Sequence, residues 1–241
     1  MMNAFLVALG FLTRIPVPHH VFDDERARRR SLAWYPAVGL VIGALLLVSH
    51  YVMRGWPPLV AASVLLLLWI VATGALHLDG LADSADAWIG GLGDRERTLA
   101  IMKDPRCGPA GVVALVSVLL LKFACLASLS SAWPALWVAP VLARSVLVGA
   151  FLGTPYVRAG GLGSRLGDGA GQASRIALAM VAFAILWLGW HAWLATAIVL
   201  ALFAWWRHAC VARLGGMTGD TCGALTELTE VAVLLVFAAA G

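Results

Sequence analysis

Long apolar runs alternate with short polar ones along most of the chain, falling at about 33–53, 58–76, 109–130, 134–152, 175–190, 191–212 and 223–240. A helix needs roughly 20 mostly apolar residues to cross the hydrocarbon core of a bilayer. The pattern therefore predicts about six or seven transmembrane helices, the fifth short and the seventh rich in alanine. Turn signals separate the runs at Arg54-Gly55-Trp56-Pro57-Pro58, Ser130-Ser131-Ala132-Trp133-Pro134 and Gly189-Trp190-His191. Asn3 to Leu12 is apolar too, yet has no basic segment in front and no small-residue cleavage site behind. It reads as a retained interfacial or re-entrant helix, too short to span. No repeat of fixed period and no low-complexity tract is present, so residues 1–241 read as a single domain. The fold class is all-α, a polytopic integral membrane helical bundle.

Composition sharpens this. The 241 residues are 61% hydrophobic and 12% charged, against about a quarter charged in a soluble domain. The formal charge of +4 does not argue for nucleic acid, because the basic residues sit in short loops between apolar runs. Anionic lipid or a phosphorylated substrate suits them better. The four cysteines form no C-x-x-C pair and read as free thiols packed as small apolar groups.

Threading the runs through a membrane puts loops 13–32, 77–108, 153–174 and 213–222 on one side. Of the 17 basic residues, 13 fall on that side, Arg54 alone falls on the other, and Lys122, Arg144 and Arg207 lie within apolar runs. Positive residues mark the cytoplasmic side, so the long loops are expected there. All 13 acids also belong to those loops or the helix turns beside them. Acids contribute little to topology, and a functional site is the natural reason for their placement.

The densest group is His77-Leu78-Asp79-Gly80-Leu81-Ala82-Asp83-Ser84-Ala85-Asp86. Asp79, Asp83 and Asp86 share one face if the second helix runs on past His77. Three adjacent carboxylates repel unless protonated or bridged by a cation, and hard oxygen ligands suit Mg²⁺, commonly shared between carboxylates and substrate phosphates. The plain alternative is a solvated acidic helix end, against which the small residues between the aspartates argue. His77 reads as a general base, a phosphate ligand or an ordinary packed histidine, and spacing alone favours the last.

Gly90-Gly91-Leu92-Gly93 ends that helix, and residues 94–104 predict a short surface helix. Lys103 and Arg106 beyond it are candidate holders of phosphate oxygens. Tyr156 to Gly163 supplies Arg158 among glycines, and is equally readable as a plain loop. Gly215 to Gly223 leads into a helix carrying Asp220, Glu227 and Glu230 on one face. Acids inside an apolar helix are costly and usually face a polar interior, so this second acidic face is expected to meet the first. Arg144, about 12 Å from the cytoplasmic end of its run, is within reach of it. Either Arg144 or Lys122 could pair with these acids, though Lys122 lies nearer the opposite surface and is also readable as snorkelling there.

These segments together resemble the cobalamin synthase family, the adenosylcobinamide-GDP ribazoletransferases. The resemblance is carried by Phe11-Leu12-Thr13-Arg14-Ile15-Pro16-Val17-Pro18, by His77 to Asp83 with Asp86, by Arg95 to Gly108 containing Ile101-Met102-Lys103-Asp104, by Gly161-Leu162-Gly163, and by Gly216-Met217-Thr218-Gly219-Asp220-Thr221 with Glu227. It spans the chain, with Pro105 departing where a small polar residue is expected. It implies a Mg²⁺-dependent transferase in the bacterial cytoplasmic (inner) membrane, its site facing the cytoplasm. The phospho-cobinamide moiety of adenosylcobinamide-GDP passes to α-ribazole or its 5′-phosphate, and GMP leaves. Asp79, Asp83 and Asp86 would hold the metal. Lys103, Asp104, Arg106, Arg144, Arg158, Gly161, Gly163, Thr218, Gly219 and Thr221 would contact substrate and phosphate. Asp220, Glu227 or His77 would be the base. The oligomeric state is open, a homo-oligomer included. Two other readings compete. A CDP-alcohol phosphatidyltransferase has related chemistry, but Leu76 and Asp83 break its motif. A transporter would carry polar residues through the full membrane depth or show inverted symmetry.

Overall fold

Each apolar run folds as a helix, because backbone in hydrocarbon has to satisfy its hydrogen bonds within the segment. The structure, a computed structural model, describes residues 1–129, 132–158 and 171–239. In chain order its helices are α1 (Met2–Leu12), α2 (Glu25–Ser31), α3 (Tyr35–Val52), α4 (Pro58–Thr73), α5 (Leu76–Gly90), α6 (Arg95–Ile101), α7 (Pro109–Ser128), α8 (Ala132–Gly153), α9 (Gly171–Leu186), α10 (Trp190–Leu214) and α11 (Gly219–Ala239). The chain is a polytopic helical membrane protein. Among the described residues five helical spans are long and apolar enough to cross a bilayer, or six if α4 and α5 form one broken span. The expected six or seven is thus met only at its lower end, since α9, the fifth apolar run, has 16 residues and falls short of a span.

The second helix does not run on past His77. Gly74 (φ 62°) and Ala75 (φ 56°) both take the left-handed conformation, and α5 leaves α4 at 88°. Glycine adopts that conformation without steric cost, whereas Ala75 does so against a penalty of about 1–2 kcal/mol. A side chain at Gly74 would also collide with that of Arg14, which lies against the turn. The Arg14 N–H donates to the Ala72 carbonyl at 2.8 Å, fastening the end of α1 to the break. The helix that carries the aspartates is therefore a separate element.

Small residues then let α5 lie against α11. A Cβ on Gly80 would come within 2.7 Å of the Asp220 carbonyl oxygen, and one on Gly223 within 3.1 Å of the His77 carbonyl. Close backbone approach of this kind is how helices pack where lipid offers no hydrophobic drive. α3 and α8 meet in the same way, Gly39 lying over the backbone of Pro140 and Val141. α8 and α11 form the buried centre, while Val113, Leu120, Leu200 and Trp205 on α7 and α10 point outward.

At that centre sits an ion network. Lys122 Nζ of α7 donates to Glu227 Oε2 at 2.6 Å and to Glu230 Oε2 at 2.5 Å, and Arg144 of α8 pairs with Glu230 Oε1. All four side chains are at most 5% exposed. Lys122 also lies over the Trp69 ring of α4, 4.9 Å from its centroid. The snorkelling reading of Lys122 fails. α7 and α11 start at the same end of the bundle, and Lys122 and Glu230 lie roughly 20 and 16 Å along them at 1.5 Å per residue, a gap the flexible lysine stem closes. In low dielectric each charge needs its partner.

Removing the lysine should leave two buried carboxylates sharing one arginine. Lys122→Met is expected to cost about 3–5 kcal/mol, read as the shift in detergent-titrated unfolding of the purified protein. Lys122→Met combined with Glu227→Leu should recover part of that loss. A shift below about 1 kcal/mol in the single variant would show that the network contributes little.

Candidate active site

Two short segments build one end of the bundle. The Val157 N–H donates to the Met217 carbonyl at 2.9 Å, and the Met217 N–H donates to the Pro155 carbonyl at 2.8 Å. This parallel bridge sets Arg158 beside the start of α11. The Thr218 N–H donates to Thr221 Oγ1 at 2.8 Å and the Thr221 N–H to Thr218 Oγ1 at 3.2 Å. These reciprocal bonds satisfy N–H groups that a helix start otherwise leaves unpaired. Trp206 Nε1 holds the Thr221 carbonyl at 2.9 Å from α10.

α6 is fastened alongside. Asp94 caps it through the Arg97 N–H at 2.7 Å. Arg95 Nε donates to the Leu214 carbonyl at 2.7 Å, and Arg213 Nη2 donates to the Trp88 carbonyl at 2.7 Å. Each arginine thereby closes a carbonyl at a helix C-terminus. The short helix predicted over residues 94–104 is found as α6, over 95–101.

Between these elements lies a cavity of about 250 Å³, lined by the apolar Leu99, Met102 and Val157 and by the polar Lys103, Arg158, Thr218 and Asp220. Arg158 Nη1 lies 3.2 Å from Asp220 Oδ2. The packing of Gly80 on Asp220 brings α5 next to it, so Asp83 feels the like charges of Asp79, Asp86 and Asp220 and the opposing charge of Arg158. Asp79 is exposed and Asp83 half-buried on the same face of α5. The expectation that two acidic faces meet holds for Asp220 against Asp79 and Asp83.

For the remaining acids the structure differs. Asp86 turns both oxygens to backbone, accepting from the Gly108 N–H at 2.7 Å and the Gly111 N–H at 2.9 Å. It caps the start of α7 and leaves the predicted trio of metal ligands. Among the described residues no three His, Cys, Asp or Glu side chains group as a ready-made metal site. Glu227 and Glu230 point into the buried ion network, away from the cavity, because their neighbours Lys122 and Arg144 neutralise them there. Arg144, expected on phosphate, is fully buried on Glu230. His77 is 3% exposed, near Arg144, Glu230 and Lys122 but without a hydrogen-bond partner for either ring nitrogen among the described residues. It does not line the cavity.

Lys103, Arg158, Thr218 and Asp220, scattered over more than a hundred positions, are brought together as expected. Gly219 is exposed at the start of α11, and Thr221 shapes the turn from beneath. Asp104 and Arg106 bind one another at 2.6 Å instead of facing the cavity. The guanidinium holds the Asp104 carboxyl down to about 2, so the pair stays ionised at neutral pH. Gly161 and Gly163 lie outside the described residues. The apolar wall of Leu99, Met102 and Val157 was not anticipated, since three ordinary hydrophobic residues in different segments carry no sequence signal.

Comparison with known proteins gives the chain's relatives. The sequence profile of the family described as cobalamin-5-phosphate synthase matches residues 4–238. The adenosylcobinamide-GDP ribazoletransferase of Pseudomonas paraeruginosa is 53% identical over 98% of both chains. That of Pseudomonas aeruginosa is 52% identical over 98% of both, and that of Pseudomonas putida 49% identical over 99% of this chain and 100% of its own. No solved structure matches.

The capping role of Asp86 is open to direct measurement. Asp86→Ala should lower thermal stability in detergent by about 1–2 kcal/mol through loss of the α7 cap. Unchanged stability would show that the two amides find other acceptors.

Proposed function

The chain belongs to the cobalamin-5-phosphate synthase family, and on that premise we propose how it works as an adenosylcobinamide-GDP ribazoletransferase, the enzyme that assembles the nucleotide loop of cobalamin. About half identity over nearly the full length to relatives of that name carries this reading. The same match displaces the phosphatidyltransferase and transporter alternatives. The charged residues in the bundle interior also pair among themselves, two cations with two carboxylates, which suits a structural network better than a transport path.

The acceptor is α-ribazole or its 5′-phosphate. Its ribose 3′-hydroxyl oxygen attacks the phosphorus attached to cobinamide and forms the new O–P bond. The bond from that phosphorus to the bridging oxygen breaks, GMP leaves with the electron pair, and the hydroxyl proton passes to a base. Of the three candidate bases, Asp220 lines the cavity, whereas His77 and Glu227 are buried away from it. We therefore assign the base to Asp220, with Arg158 holding its carboxylate in place.

Asp79 and Asp83 fit Mg²⁺: they are a pair of hard oxygen donors on one helix face, repelling one another and close enough to Asp220 to feel its charge. Mg²⁺ typically uses one or two carboxylates plus substrate phosphates, so losing Asp86 from the set leaves a suitable pair. When bound, the ion would draw charge from the diphosphate oxygens. The concentration of basic residues in the loops that carry this site supports a cytoplasmic-facing site in a bacterial inner membrane.

Purified protein given adenosylcobinamide-GDP, α-ribazole and Mg²⁺ should release GMP in step with the corrinoid product, and chelation should stop it. Turnover of CDP-alcohol donors without GMP release would sink the assignment. Asp79→Asn and Asp83→Asn are expected to lower kcat by roughly a hundredfold or more in protein that still inserts. Near-normal rates with Mg²⁺ in both variants would reject the metal-holding role.

A further inference from the structure

The cavity beside Asp220 is small, and its lining mixes apolar with charged and polar side chains. Its volume of about 250 Å³ falls just below the roughly 300–1,000 Å³ of pockets that bury drug-sized ligands. The two substrates differ greatly in size. A corrin macrocycle carrying a nucleotide is far too large for this space, whereas a single benzimidazole ribonucleotide matches it in scale. Leu99, Met102 and Val157 form a wall suited to a flat aromatic base, and thioether sulfur makes favourable contacts with aromatic rings. Two cations also line it. Arg158 is already engaged by Asp220, while Lys103 is exposed and forms no ion pair among the described residues. Thr218 and Asp220 bring oxygen groups to the same cavity, where a sugar hydroxyl would be met.

We infer that this cavity is the acceptor subsite, with the aromatic base of the nucleoside against Leu99, Met102 and Val157 and an anionic 5′-phosphate on Lys103. The corrinoid donor lies outside it, over the face of α5 that bears Asp79 and Asp83. This assignment rests on the transferase reading above and deepens it. Lys103 is then a specificity residue: it separates the phosphorylated acceptor from the free nucleoside. Its ammonium is a mobile point charge, suited to a terminal phosphate more than to the buried geometry of the reacting centre.

Steady-state kinetics with both acceptors tests this. In Lys103→Met the ratio of kcat/KM for α-ribazole 5′-phosphate to that for α-ribazole should fall about ten- to hundredfold, the range of a lost hydrogen bond to a charged group. Lys103→Arg should restore most of the ratio. Leu99→Trp, which fills the cavity from its apolar side, should raise KM for both acceptors and leave KM for adenosylcobinamide-GDP where it was. An increase in the donor KM with acceptor KM unchanged would give the cavity to the donor's diphosphate. An equal loss for both acceptors in Lys103→Met would remove the phosphate contact. Either result overturns the subsite while GMP release by the unaltered protein keeps the transferase reading standing. Absence of that release would sink the latter instead.

Discussion

Charges inside an apolar bundle have to be paired, and in this protein that requirement ties three helices to one point. Lys122 on α7, Arg144 on α8 and the two glutamates on α11 satisfy one another far from water. The cost of separating any of them holds α11 in register with its neighbours. Everything at the bundle end follows from where α11 begins. Thr218 stands just before it, its first turn carries Asp220, and Gly223 on its flank receives α5. The ion network thus sets the depth and rotation of the helix that presents the proposed base.

The break at Gly74–Ala75 is the second constraint. A straight helix through residues 58–90 would run out of the membrane and carry its aspartates into solvent. The left-handed turn instead directs α5 across the bundle at 88° to α4 and lays it on α11. Two acidic segments far apart in the chain become neighbours through backbone contact at Gly80. The bundle is layered: a buried ion network of matched charge, and apart from it a more exposed cluster in which Asp79 and Asp83 lie near Asp220 and Arg158, with Lys103 lining the same cavity as the last two. The network needs no ligand for that reason. The cluster has carboxylates crowded together, the electrostatic condition for taking up a cation and a phosphorylated substrate.

Much of this was readable beforehand. Hydropathy period and run length mark a membrane bundle because the bilayer imposes its thickness on every spanning helix. The clustering of acids in a few polar segments points to a site, since topology does not demand it. Lys103, Arg158, Thr218 and Asp220 were chosen from separate loops and do share a cavity. Asp86 and Glu227, read from the same spacing, turn instead to a helix start and to the buried ion network. Helical spacing shows which residues share a face, but what that face meets depends on a neighbouring helix. Asp86 has the right spacing for a metal ligand, yet two amides at the start of α7 lie nearer.

The sequence by itself determined the helical membrane architecture and, through its motifs, the family. Those properties follow from local composition, which acts within one segment at a time. Tertiary structure alone decided which acids are exposed and which face lysine and arginine, where α4 breaks from α5, and that three ordinary side chains, Leu99, Met102 and Val157, help to line a cavity of about 250 Å³. These depend on distances between segments, set by close glycine contacts and by the pairing of buried charges, and no periodicity along a single strand of sequence encodes them.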